Sequence, residues 1–450
     1  MNIPHTARRC LRSVLALLFL IAFFSPLAWA APPAVRVEVT LDRPQLPAGS
    51  PQTAVIKVAL DAPALVDAGT RPPINLTLVL DRSGSMSGEK LGRAREAALE
   101  ALRRLGPRDI FALVTYDHTV ETVVPAQPAS NSEWIEARIR SIGAGGNTAL
   151  FAGVSQGAAE VRKHLAGPYI HRIVLLSDGL ANVGPSSADD LGRLGGALLK
   201  EGISVTTIGV GTDFNEDLMT RLAARSDGNH YFVAESRDLP RIFASELGDV
   251  LSVVARKVII EIECPGDVRP LRIIGREGRI SGQHVEIGMN QLYGGQQKYV
   301  LIEVETPAGR PQQRLELARV KTSYENSRTS RQETANARAE ASFTASAAEV
   351  RRSASPEVYK AVVENEMAAS RDKALDLYNS GKREEAAREL KDTSTTLQEK
   401  GAAVGLGSVA APAAALSQEA AEFQKDDLSP SRKKEIRSES FKSRNQQKDY

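Results

Sequence analysis

Hydrophobic and polar positions follow a repeating pattern between residue 74 and about residue 250. Short apolar runs, typical of strands, lie at 74–80, 110–116, 173–177, 203–209 and 230–233, with a more polar and therefore edge-like run at 120–124. Apolar residues at helical spacing predict helices at 89–105, 149–165, 188–200 and 216–224. Ser130 and Glu133 form a capping-box pattern that predicts the start of a further helix, ending at Ile142. This alternation of strands and helices predicts a mostly parallel, doubly wound α/β sheet of Rossmann-like type.

The segments on either side of this unit alternate like antiparallel strands. They lie at 35–40 and 53–60 before it, and at 257–264, 271–274, 284–287, 298–305 and 315–322 after it. Neither flank has enough strands to bury a core alone, so we expect one β-sandwich built from both flanks, with the α/β domain inserted into it. From about Ala335 the composition favours helix. Residues 372–387 resemble the turn of a tetratricopeptide helix pair in a single copy, which predicts a helical hairpin rather than a solenoid.

The predicted organisation has six parts. They are a signal peptide at 1–30, the N-terminal strands of the sandwich at 31–73, the α/β domain at 74–251, the remaining sandwich strands at 252–334, a helical region at 335–427 and a basic tail at 428–450. The tail carries seven Lys and Arg against three Asp and Glu. Such a composition is typical of a solvated chain end.

The first thirty residues predict export. Three arginines precede an apolar run at 14–24, and residues 28–30 read Ala-Trp-Ala, a small-x-small cleavage site. The run is shorter than the roughly 20 residues that span a bilayer, so we expect a cleaved, periplasmic or extracellular protein without a transmembrane segment. Cleavage removes three arginines and no acids, which changes the formal charge from +2 to −1 and gives no general attraction for nucleic acid. Cys264 is then the one remaining cysteine, which excludes an intrachain disulfide.

Polar residues follow several of the predicted parallel strands directly. Asp81, Ser83 and Ser85 follow the run at 74–80, Asp178 follows the run at 173–177, and Thr148 ends a Gly-Gly-Asn-Thr segment that opens a helix. The carboxyl ends of parallel strands meet at one edge of a sheet, where ligands bind in such folds. Hydroxyl and carboxylate oxygens are ligands that suit Mg²⁺, which keeps several waters and leaves room for an outside ligand. The sequence therefore predicts a divalent-metal site at this edge.

The three motifs, in this order and spacing, resemble those of a von Willebrand factor type A (VWA) domain over residues 74 to 250. Ile208–Thr212, after the fifth strand, adds to the likeness. The resemblance implies a metal-ion-dependent adhesion site (MIDAS) in which Asp81, Ser83, Ser85, Thr148 and Asp178 hold Mg²⁺ or Mn²⁺ and a partner carboxylate completes the coordination. The flanks and the helical tail resemble exported bacterial proteins built around this domain. In some family members the site is coupled to movement of the domain's last helix, here at about 239–253.

Other interpretations of the same residues stay open. Ser85 or Ser87 could cap the helix that begins at Glu89 without any metal, and Arg82 is expected to point outward and select an acidic partner. The preferred function is a non-enzymatic, metal-dependent module for adhesion or scaffolding, with a protein or cell-envelope partner that offers a carboxylate. One alternative is a cell-envelope scaffold that binds through its helical C-terminal region, with the metal only structural. A second is a Mg²⁺-dependent phosphoesterase, for which the sequence shows no general base beside the site.

Overall fold

The computed structural model describes residues 35–64, 71–424 and 428–447. The predicted signal peptide at 1–30 lies outside the described residues, as does the end of the predicted basic tail at 448–450. Among the residues that the structure describes, no helix has the length and apolar character needed to cross a membrane.

The strands form three sheets. Their bounds are β1 (Arg36–Leu41), β2 (Gln45–Pro47), β3 (Gln52–Asp61), β4 (Ile74–Asp81), β5 (Ile110–Tyr116), β6 (Val120–Pro128), β7 (Ile170–Ser177), β8 (Ile203–Val210), β9 (His230–Val233), β10 (Val253–Glu263), β11 (Arg269–Ile274), β12 (Arg279–Ser281), β13 (His284–Tyr293), β14 (Gln297–Thr306), β15 (Arg314–Asn326) and β16 (Gln332–Thr344). The sheet orders are β6-β5-β4-β7-β8-β9, β1-β3-β14-β11 and β12-β13-β10-β15-β16-β2.

The α-helices of the described residues lie in two groups, six within the α/β domain and the others after β16. Their bounds are α1 (Glu89–Arg104), α2 (Ser132–Arg140), α3 (Leu150–Arg162), α4 (Ala188–Lys200), α5 (Glu216–Arg225), α6 (Leu239–Leu251), α7 (Ala347–Arg352), α8 (Pro356–Asn379), α9 (Arg383–Ala403), α10 (Gly407–Ala410), α11 (Ala414–Phe423) and α12 (Pro430–Asn445).

The six-stranded sheet of the α/β domain is parallel except for its edge strand β6, as the sequence pattern predicts. Every residue of β4, β5, β7 and β8 is buried, because helices cover both faces of the sheet. Leu78 and Leu80 face one core with α1, α2 and α6, whereas Val79 faces the opposite core with α3, α4 and α5. This doubly wound arrangement confirms the predicted fold class.

Both flanks contribute strands to the β-sandwich. The N-terminal strand β3 pairs with β14 over its whole length, from Gln52 opposite Thr306 to Asp61 opposite Gln297. Residues of β3, β10, β13, β14 and β15 share one buried apolar cluster between the two sheets. The α/β domain leaves the sandwich after β3 and returns directly from α6 into β10, as predicted for an inserted domain.

Two local predictions are wrong. Helix was expected from about Ala335, but residues Gln332–Thr344 form the long strand β16. Alanines at every second position, among them Ala339 and Ala341, face the sandwich core, so the period of two outweighs the helical preference of alanine. The capping box is also absent. Asn131 is the N-cap of α2 and makes no side-chain cap hydrogen bond, and Ser130 lies in the preceding turn, beside Ala129, whose N–H donates to the Asp109 carbonyl at 2.9 Å.

The basic tail is a docked helix, which corrects the expectation of a solvated end. Lys434 and Arg437 of α12 are 5% and 8% exposed. Lys434 Nζ lies 2.7 Å from Glu216, and Arg437 contacts Asp217 at 2.7 Å and Asp372 at 2.9 Å. Apolar residues of α12 are also buried, including Ile436 and Phe441. Acidic partners on α5 and α8 thus neutralise the charges that made this segment appear solvent-exposed.

His230, on the edge strand β9, makes the attachment of α12 sensitive to acid. Its ring is 1% exposed, lies 5.7 Å from the Phe441 ring, and has its pKa lowered to about 3 by burial and by Lys442 and Lys434. Since the unfolded pKa is about 6.5, the unfolded chain binds the extra proton first, and stability falls as the pH drops below 6.5. We expect His230→Gln to lose about 2 kcal/mol less stability than the wild type between pH 7 and pH 5, measured by urea unfolding. Equal losses would contradict this assignment.

A close approach of backbones sets the requirement for glycine at position 228. A methyl group on Gly228 would lie 2.1 Å from the Val205 carbonyl oxygen, whereas one on Gly196 of α4 would meet no atom within 4 Å. We expect Gly228→Ala to destabilise the fold by about 3 kcal/mol through overpacking. Gly196→Ala should stabilise it by about 0.5–1 kcal/mol because alanine favours helix. Thermal unfolding of both variants, side by side, checks the contrast.

Candidate metal centre

The structure brings all five predicted site residues to the carboxyl edge of the parallel sheet. Asp81 is the last residue of β4, Ser83 and Ser85 lie in the loop that follows, Thr148 lies two residues before α3, and Asp178 directly follows β7. We call the space that these five residues bound the cup. Ser85 is exposed at its mouth, and the other four are at least 96% buried.

Three hydroxyl groups converge on one point in the cup. A methyl group built on Gly179 would lie 3.3 Å from Thr148 Oγ1, 3.5 Å from Ser85 Oγ and 4.0 Å from Ser83 Oγ. The two serine oxygens are themselves 3.0 Å apart. Any residue larger than glycine at 179 would therefore fill the space that the hydroxyls surround.

Both carboxylates are fixed by hydrogen bonds to each of their oxygens. Asp81 accepts from the Ser83 N–H at 2.8 Å and from the Ser177 hydroxyl at 2.7 Å. Asp178 accepts from the Ser85 hydroxyl at 2.7 Å through Oδ1 and from the Lys90 ammonium at 2.5 Å through Oδ2. Burial, with a smaller contribution from the Asp178 charge, raises the pKa of Asp81, although hydrogen bonds from Ser83 and Ser177 oppose the shift.

Backbone hydrogen bonds hold the three loops of the cup together. The Gly84 N–H donates to the Gly146 carbonyl at 3.0 Å, and the Gly145 N–H donates to the Arg82 carbonyl at 2.7 Å. The third loop contacts the second through Asn182, whose side-chain oxygen accepts from the Thr148 N–H at 2.9 Å. The prediction that a glycine N–H steadies the loop before Thr148 is therefore confirmed.

Sequence reasoning missed three residues that support the cup. Ser177 holds Asp81, Asn182 holds Thr148, and Lys90 contacts Asp178 from the first turn of α1. Ser177 stands beside Asp178 in the sequence, and Lys90 lies five residues after Ser85, so their proximity was available as a signal. No signal in the sequence indicated a role for Asn182, because its contact with Thr148 depends on the course of an irregular loop.

Two expectations about the rim of the cup need correction. Arg82 is 20% exposed and its guanidinium is engaged, 3.1 Å from Asp117 and 2.8 Å from Glu121, so it presents no free charge to a partner. Helix α1 has Gly88 as its N-cap and no side-chain cap. Ser85 and Ser87 therefore do not cap this helix, and the Ser85 hydroxyl points to Asp178 instead.

The residues of the cup fit a hard divalent cation. Among the described residues no group of three or more His, Cys, Asp and Glu could hold a metal ion, so a cation here depends on hydroxyl oxygens as well as on carboxylates. Asp81, Ser83, Ser85, Thr148 and Asp178 supply only oxygen donors, which Mg²⁺ and Mn²⁺ accept and soft metals do not favour.

Comparison with known proteins identifies the domain that carries the cup. Residues 75–245 match the profile of the von Willebrand factor type A domain, and this range contains all five residues. The chain contains a VWA domain. VWA domains are generally protein-interaction modules, commonly dependent on a metal ion.

The relatives share this domain and, in two solved structures, the wider architecture. The uncharacterized protein YfbK of Escherichia coli is 31% identical over 211 residues, which are 46% of this chain and 37% of YfbK, so the chain spans little more than a third of that relative. A von Willebrand factor type A protein from Catenulispora acidiphila superimposes with a TM-score of 0.67 at 18% identity, covering 84% of this chain and 89% of its own. The ArnB paralog VWA2 from Sulfolobus acidocaldarius gives 0.62 at 18% identity, covering 92% and 98%. At this identity the two structures show the fold alone.

Proposed function

We propose that this protein is a metal-dependent binding module that captures an acidic group of a partner at the cup. The observation that carries the proposal is the convergence of Ser83, Ser85 and Thr148 on one point, beside the fixed carboxylate of Asp178. Oxygen donors from three loops meet there, and backbone hydrogen bonds between the loops hold them in place before any ligand arrives.

Asp81, Ser83, Ser85, Thr148 and Asp178 are the residues that would hold the ion. A bound Mg²⁺ or Mn²⁺ would supply a Lewis-acidic position that accepts a carboxylate oxygen. The chain's own residues fix the donors: Ser177 orients Asp81, and Asn182 orients the backbone of Thr148. A site fixed in this way loses little entropy when its ligand binds.

A binding role is favoured over hydrolysis because both carboxylates of the cup are already engaged. Each oxygen of Asp81 and of Asp178 accepts a hydrogen bond from the protein. A carboxylate that the protein holds in this way and that also coordinates the cation is not free to take a proton from an attacking water. We therefore propose a non-enzymatic function and expect no Mg²⁺-dependent phosphoesterase activity.

The alternative of a cell-envelope scaffold that binds through its helical C-terminal region, with the metal only structural, has less support. Lys434, Arg437 and Arg444 of α12 make ion pairs with acidic residues of the same chain. We propose instead that the module at 74–251 binds while the flanking sandwich and the helical region carry it, and that the leader at 1–30 directs the protein to the periplasm or the cell exterior. The partner is proposed to be a protein or a cell-envelope component, not nucleic acid.

Acetate can serve as the minimal probe of carboxylate binding. Water-proton relaxation of the Mn²⁺-loaded protein should fall as acetate replaces chloride at constant ionic strength, because the carboxylate displaces metal-bound water. The response should be lost when EDTA removes the metal and in Asp178→Asn, which is expected to abolish metal binding. Equal relaxation in acetate and chloride would rule out a carboxylate ligand at this metal.

A further inference from the structure

Lys90 places a positive charge against the outer side of the cup. Its ammonium lies 2.5 Å from Asp178 Oδ2, while Oδ1 of the same carboxylate faces the cup and accepts from Ser85. The lysine side chain is 31% exposed and the aspartate is fully buried. The two oxygens of Asp178 therefore have separate partners, a cation on one side and the hydroxyl donors on the other.

The course of the side chain is set by the protein. Lys90 lies in the first turn of α1, and a methyl group built on Gly211, just after β8, would lie 3.7 Å from its ammonium. The lysine thus reaches across the end of the sheet instead of extending away from it. Its position is set by α1 and by Asp178, and Gly211 lies beside its ammonium.

Counting charges shows what this lysine does to a loaded site. The cup holds two carboxylates, Asp81 and Asp178, whose charges together balance one divalent cation. The ammonium of Lys90 then leaves a net positive charge at the mouth. The neighbouring group adds no net charge, because Arg82 and Arg138 together balance the carboxylates of Asp117 and Glu121. The same ammonium, close to the cation, repels it.

We propose that Lys90 is a specificity-determining residue, which makes the loaded cup cationic and thereby selects anionic over neutral ligands at the expense of metal affinity. The proposal rests on the proposed function, because it concerns the ligand of the same site. The proposal predicts opposite effects of a single substitution: removing the charge of Lys90 should strengthen metal binding and weaken carboxylate binding. A residue with a merely structural role would weaken both.

The experiment compares two affinities in the full chain. Mn²⁺ binding is measured by the electron paramagnetic resonance signal of the free ion, and acetate binding by the water-proton relaxation of the loaded protein. Lys90→Met removes the charge and keeps the side-chain length, and Lys90→Arg keeps the charge. Lys200→Met is the matched control, since Lys200 is an exposed lysine at the last residue of α4 in the same domain.

For Lys90→Met we expect Mn²⁺ to bind on the order of tenfold more tightly and acetate on the order of tenfold more weakly. The reason is that the ammonium repels the cation and attracts the carboxylate. Lys90→Arg and Lys200→Met should stay within about twofold of the wild type for both. Weaker Mn²⁺ binding in Lys90→Met, or unchanged acetate binding, overturns the role of Lys90 while leaving the proposed function intact. A wild-type chain that binds no Mn²⁺ overturns both.

Discussion

Glu246→Ala should lower the free energy of unfolding by about 3–5 kcal/mol, because it leaves a buried guanidinium without its counter-charge. Arg172 of β7 is fully buried and its Nη1 lies 3.3 Å from Glu246 Oε1 on α6. Glu246 also accepts from Thr206 at 2.5 Å and from Asn229 at 2.8 Å. Chemical denaturation of the full chain, followed by circular dichroism, measures the loss.

The same network connects the α/β domain to the sandwich. The guanidinium of Arg172 donates to Gln291 and to the Tyr293 hydroxyl of β13, both at 2.6 Å. This network therefore ties the last helix of the VWA domain and a central strand to the second sheet of the sandwich. The double variant Arg172→Met, Glu246→Leu should recover much of the loss, since no unpaired charge remains.

A surface ion pair provides the control for this prediction. Arg162 and Glu201 pair at 2.7 Å, but their side chains are 43% and 30% exposed. Glu201→Ala should change stability by no more than about 1 kcal/mol. If Glu246→Ala has an effect as small as that of Glu201→Ala, the buried network does not stabilise the fold as argued.

Saturating Mg²⁺ or Mn²⁺ should raise the thermal midpoint of the protein by about 5–10 °C relative to EDTA. A ligand at 100 times its dissociation constant adds about 2.7 kcal/mol to the domain that binds it, and for a domain of this size each kcal/mol corresponds to about 2–4 °C. Differential scanning calorimetry over a metal titration measures the shift. It should be absent in Asp81→Asn, which removes one of the two charges that balance the ion.

The asparagine variant also tests the electrostatics of the empty cup. Burial raises the pKa of Asp81, which means that its negative charge is costly when no cation is present. In EDTA, Asp81→Asn should therefore be at least as stable as the wild type. Thr207→Val serves as the contrasting variant: it lies outside the cup and should lose stability because it breaks a buried hydrogen bond. A midpoint that rises equally with metal in the wild type and in Asp81→Asn would contradict the assignment of Asp81.

The sequence predicted those parts of the fold whose pattern is local. Largely apolar runs such as 76–80 and 173–176 are typical of central strands. Polar residues directly after parallel strands lie at one edge of the sheet, so Asp81 and Asp178 could be placed together without a structure. The alternation in β16 was missed because its buried positions are alanines, which carry a weak hydrophobic signal and a strong helical one. Its partner strands, β15 and β2, were recognisable only once the sandwich was assembled.

Long-range charge pairs account for most of what the sequence could not show. The composition of the tail indicates a solvated end. Helix α12 docks because acidic residues of α5 and α8 pair with its cations and because its apolar residues, including Ile436 and Phe441, are buried. Arg82 appeared to be a free charge until Asp117 and Glu121 were found beside it. In each case the contacts of a side chain are made with residues that lie far away in the sequence, from 35 positions for Arg82 and Asp117 to 218 for Lys434 and Glu216.

The most direct test of the metal centre is the binding of Mn²⁺ to the full chain, followed by electron paramagnetic resonance. The wild type is predicted to show a single site that is lost in Asp178→Asn and weakened at least tenfold in Thr148→Val, which keeps the side-chain shape and removes the hydroxyl. Unchanged Mn²⁺ affinity in both variants would contradict the assignment of the cup as the metal site.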